Sequence, residues 1–75
     1  MEYTEHAGPS ILAVVALLAD QPADSLLRGQ VGTIVELLDD QNVLVEFSDD
    51  QGRAYAVMTC RAANLLTLHY QPEAA

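Results

Sequence analysis

Lysine is absent from the chain, and its only cations are Arg28, Arg53 and Arg61, in three separate segments. Against eleven acidic residues they leave a formal charge of −8. Holding nucleic acid by a broad basic face requires several Lys and Arg contacts to phosphates, so this composition opposes that mode. Anionic lipid is repelled for the same reason, and basic partners are attracted. Cysteine is equally scarce. Cys60 has no second cysteine to bridge, and His6 and His69 lie far apart in the chain, so no zinc-ligand spacing arises. No metal and no cofactor are expected. Tryptophan is also absent and aromatics make up only 5% of residues, which leaves few side chains to anchor a contact surface.

Long apolar runs are missing too. The longest, Ile11 to Ala19, covers nine residues, about half of the roughly 18 that span a bilayer. Glu2 and Glu5 precede it where a secretory signal carries positive charge. The run therefore reads as part of the fold, and a single free thiol suits a cytoplasmic protein.

What is present is a 75-residue chain that is 51% hydrophobic, enough for one small domain. A core of this size supplies a thin stability margin. With neither disulfide nor metal to staple it, self-association is the remaining common route, so a homo-oligomer is expected.

Residues 1–10 lack periodicity, end in Gly-Pro-Ser and read as a flexible N-terminal arm. A domain is expected over 11–70, and 71–75 read as a frayed tail. The Ile11 run is short and centred on Val14-Val15, which favours a buried strand over a helix that Ser10 would cap. A long connection over 21–30 carries Leu26 and Leu27 back across the core. A second strand starts at Val31, with Gly32 marking a bend or bulge. Val43, Val45 and Phe47 then alternate with Leu44, Glu46 and Ser48, the clearest period-two pattern in the chain. Asp39-Asp40-Gln41-Asn42 precedes that strand and Asp49-Asp50-Gln51-Gly52 follows it, both with turn chemistry. A fourth strand spans Ala54 to Thr59, one helical turn fits 60–64, and a fifth strand runs from Leu65 to Tyr70. Five short strands punctuated by turns indicate an all-β protein. The long first loop, two tight hairpins and a helical turn before the last strand match a small five-stranded SH3-like barrel by analogy.

Arg28-Gly29-Gln30-Val31-Gly32-Thr33-Ile34-Val35-Glu36, Val43-Leu44-Val45-Glu46-Phe47, Asp50-Gln51-Gly52-Arg53-Ala54-Tyr55-Ala56 and Leu65-Leu66, with the Asp20-Gln21-Pro22 turn, carry a resemblance. From about Leu12 to Leu68 the chain resembles the bacterial family called domain of unknown function 4926. The resemblance implies a stand-alone SH3-like barrel and implies no catalytic or binding residue. Against the family's pattern, this chain is more apolar along strand one, at Val14, Leu18 and Ala19. That surplus marks strand one as an apolar edge covered by the arm or by another subunit.

Each candidate site has a plainer structural reading. Gly29 and Gly32 match no phosphate-binding loop, and no lysine accompanies them, so they read as a turn into a bent barrel strand. The acidic pairs Asp39-Asp40 and Asp49-Asp50 lack the alternating ligands of a calcium loop and read as solvated turns. Projecting the same way, they would make one negative patch. Cys60 reads as a buried structural thiol rather than a nucleophile served by His6 or His69. Arg53 is expected beside Glu46 across the hairpin, in a surface ion pair. Tyr55 is the candidate exposed anchor.

The expected function is a non-enzymatic protein-interaction module, antitoxin-like or immunity-like or a homo-oligomer. It would meet a basic partner or itself through Val14, Leu18, Asp39, Asp40, Asp49, Asp50 and Tyr55. The alternatives are a nucleic-acid-associated SH3-like module, which the charge opposes, and an accessory subunit of a larger enzyme.

Overall fold

A computed structural model describes residues 9–69. The N-terminal arm, except residues 9 and 10, lies outside them, as do Tyr70 and the expected tail. The protein is all-β: strands β1 (Val14–Leu17), β2 (Val31–Leu37), β3 (Asn42–Ser48), β4 (Ala54–Arg61) and β5 (Leu65–Thr67) form one antiparallel sheet. A 3-10 turn over Ala62–Asn64 precedes β5, where one helical turn was expected. A further one, Pro22–Asp24, sits in the long connection.

The sheet order is β4-β3-β2-β1-β5. Strand one is therefore not an edge: β2 flanks it on one side and β5 on the other. Sequence order hides this, because β5 returns from the far end of the chain to pair with it. β4 and β5 are the two edges, yet only Ala62–Asn64 separates them. Five flat strands would place the outer two roughly 19 Å apart. Four Cα steps reach at most about 14 Å even when fully extended. The sheet must curl, bringing its edges towards each other at one corner.

Curling encloses the inward face. Val15 and Leu17 from β1, Ile34 from β2, Val43, Val45 and Phe47 from β3, and Cys60 from β4 are buried there. Ala13, Ala56, Met58 and Leu65 pack at the margin. β3 alternates strictly between buried and half-buried positions, as its period-two sequence requires. The last core member, Leu26, comes from the long connection. Gln21 and Leu26 exchange backbone bonds, Gln21 N–H to Leu26 O at 2.8 Å and Leu26 N–H to Gln21 O at 3.1 Å. That bridge turns Leu26 inward and leaves Leu27 exposed.

Two bulges bend the sheet, and neither is at Gly32. The register slips between Ile34 and Glu36, leaving Val35 unpaired, and again between Phe47 and Ser48, leaving Tyr55 extra on β4. Gly32 is regularly paired with Val15 and Phe47. Its requirement is space: a Cβ there would stand 2.6 Å from Val45 Cγ1 and 2.8 Å from Glu46 O.

Candidate functional site

The two acidic turns share one construction. Asp39 Oδ1 accepts the N–H groups of Gln41 and Asn42, both at 2.8 Å, and Asn42 Nδ2 donates to both carboxylate oxygens at 3.1 Å. Asp49 Oδ1 likewise accepts from Gln51 and Arg53 N–H at 2.9 Å. The first aspartate of each pair is thus bound to its own turn, while Asp40 and Asp50 are exposed beside it. The turns cap opposite ends of β3. Seven strand residues separate them by about 20 Å, so they do not merge into one negative patch.

Chemistry of the opposite kind lies on the outward face of the sheet. Ala16 pairs with Leu66 on one side and Val31 on the other, so these three side chains form a row across β5, β1 and β2. Leu66 is 51% exposed and Val31 43%. In the next row Val14, half-buried, lies opposite Thr33, and Leu68 N–H donates to Val14 O at 2.8 Å. Leu18, 47% exposed, extends the same side of β1. None of residues 14–19, 31–35 or 65–68 is charged. The apolar residues Val14 and Leu18 therefore lie on the side of a sheet face rather than along an edge, and Ala19 falls past the end of β1.

A third feature was not legible in the sequence. Gln21, Pro22, Ala23 and Asp24, with Asn42, Thr59, Arg61 and Asn64, line a cleft of about 430 Å³. It opens where the Pro22–Asp24 turn faces the end of β4. Gln21 Nε2 donates to Asp24 Oδ2 at 3.0 Å, and Asn64 Nδ2 donates to Gln21 Oε1 and to Ala19 O, each at 3.4 Å. Arg61 Nη2 donates to Gln41 Oε1 at 3.1 Å. These residues come from four segments between positions 21 and 64, and no spacing motif joins them. The "Asp-Gln-Pro" turn was the one local sign that this loop is built rather than loose.

A family model described as "Domain of unknown function (DUF4926)" matches residues 11–67, most of the chain. The chain belongs to the DUF4926 family. No curated protein and no solved structure matches it.

In this DUF4926 domain the remaining candidates fall into place individually. Tyr55 is 49% exposed, with its ring 6.4 Å from that of Phe47 and its hydroxyl accepting from Gln30 Nε2 at 2.8 Å. It is tethered to the loop before β2. Arg53 is not opposite Glu46, because the register places Val57 there and the turn holds the Arg53 backbone against Asp49. Cys60 is buried, and burial pushes its thiol above the ordinary value, a hydrogen bond from Gln21 opposing and the Asp24 charge adding. His6 is outside the described residues. Arg28 sits in the long connection, Arg53 just before β4 and Arg61 at its last position. Among the described residues, no three His, Cys, Asp or Glu side chains are grouped to hold a metal ion. No helix among them is long and apolar enough to cross a membrane.

Proposed function

We propose that this DUF4926 domain is a non-enzymatic interaction module that self-associates through the outward face of β5, β1 and β2. The observation that carries the reading is the uncharged Leu66–Ala16–Val31 row, extended by Val14 and Leu18, in a chain of net charge −8. Two copies of so acidic a protein repel each other. They meet at least cost where few carboxylates face the partner: residues 14–19, 31–35 and 65–68 carry none, and Glu36 stands at the far end of β2. Among the described residues eight fully buried side chains make a small core, so covering further apolar surface adds to a thin margin. The acidic turns, placed at opposite ends of β3, fit a role in solubility and charge selection better than a joint basic-partner site. An SH3-like layout, by architectural analogy, and a cytoplasmic setting for the free thiol go with this role.

Light scattering over a concentration series tests this directly. The expected mass is a multiple of the monomer, reverting to the monomer in Leu66→Glu and Val31→Glu with the fold retained by circular dichroism. A strict monomer at millimolar concentration, or variants that still associate, overturns self-association by this face.

A further inference from the structure

The cleft between the Pro22–Asp24 turn and the end of β4 combines features that the interaction reading does not use. Asp24 and Arg61 stand on its walls as opposite charges. They do not pair: Asp24 is held by Gln21 and Arg61 by Gln41, and no ion pair joins them among the described residues. Both keep spare capacity. A guanidinium has five N–H donors, and Gln41 takes one; a carboxylate has about four acceptor positions, and Gln21 uses one. Thr59 adds a hydroxyl to the lining.

The wall bearing Asp24 is braced. Asn64, from the turn before β5, donates to Gln21, which donates to Asp24. This chain ties two separate turns together and orients the carboxylate before anything binds, which lowers the ordering cost of binding. Asp39 also feels the Arg61 charge, but its Oδ1 accepts the Gln41 and Asn42 N–H groups, its Oδ2 accepts from Asn42 Nδ2, and the Arg61 hydrogen bond goes to Gln41 instead. Arg61 is therefore not committed to it.

We propose that this cleft binds a small zwitterion, a free amino acid or dipeptide, with its ammonium group on Asp24 and its carboxylate on Arg61. Opposite charges held apart on two walls are the complement of a molecule carrying the reverse pair. The planar guanidinium suits bidentate carboxylate recognition. The volume, about 430 Å³, falls in the range of small-molecule sites.

Amide chemical-shift titration of the whole protein with glycine and glycylglycine tests the assignment. Saturable shifts are expected at residues 21–24, 42 and 59–64, with half-saturation in the roughly millimolar range. N-acetylglycinamide, which resembles glycylglycine without its charges, should bind at least about tenfold more weakly, a comparison that needs no variant. Asp24→Asn, which keeps an acceptor for Gln21, and Arg61→Gln should each weaken glycylglycine about tenfold, and Arg61→Lys should restore part of the loss. Absence of saturable shifts with either probe, equal binding of the uncharged analogue, or variants that bind as the parent does would overturn the proposal. Self-association is read separately by mass, so failure here leaves that reading intact.

Discussion

Gly32 lies directly opposite Phe47 in the β2–β3 ladder, and the missing side chain of one makes room for the ring of the other. A Cβ on Gly32 would approach Phe47 Cδ1 to 3.0 Å as well as the closer Val45 and Glu46 atoms. Glu46 O is backbone within a paired strand and has little room to yield. Gly32→Ala is expected to destabilise the protein by about 1–3 kcal/mol, the usual range for overpacking. Urea denaturation of parent and variant measures the difference.

Leu26 and Leu27 are neighbours in sequence with opposite fates. Leu26 is fully buried by the Gln21 bridge, whereas Leu27 is exposed. Leu26→Ala should cost about 2–5 kcal/mol, a large share of the roughly 4–11 kcal/mol typical of a domain this size. Leu27→Ala should stay within about 0.5 kcal/mol of the parent. Thermal or urea unfolding of the pair checks both values.

Asp39 makes the first turn pH-sensitive. The Gln41 N–H foremost, and then the Asn42 side chain, hold its carboxyl below the ordinary value of 3.8. A lowered folded value means that the unfolded chain takes up the proton first. The turn's contribution is therefore present above pH 3.8 and is lost as pH falls from there through the lowered value. Side-chain carboxyl NMR should place the Asp39 midpoint below 3.8. Asp39→Ala should lower stability at neutral pH, with the gap from the parent closing in acid.

Cys60 behaves in the opposite sense. Burial raises its thiol above 9.0, so the unfolded chain ionises first. Stability linked to this group is complete below pH 9.0 and is lost as pH rises from there through the raised value. In the native state the thiol should resist alkylation near neutral pH, reacting at a rate that follows opening of the fold. Cys60→Ser, which places a hydroxyl in the same apolar site, should cost about 1–3 kcal/mol.

Much of the architecture was readable because its causes are local. Period-two alternation at Val43, Val45 and Phe47 puts every second side chain on one face whatever the rest of the chain does. Asp39 and Asp49 accept from N–H groups two to four residues ahead, so their turns follow from short segments alone. The five strands and the helical turn before β5 could be read on that basis.

What required the tertiary structure depends on which distant segments meet. Pairing of β5 with β1 turned strand one from an expected edge into an interior strand, converting its apolar surplus from an edge into a face. The length of β3 separated two turns that resemble each other in sequence. The curl of the sheet brought the Pro22–Asp24 turn against the end of β4, setting Asp24 across from Arg61 with no motif to announce it. Local backbone chemistry determined the strands and turns of this protein; long-range pairing and closure decided which of their surfaces are available for binding.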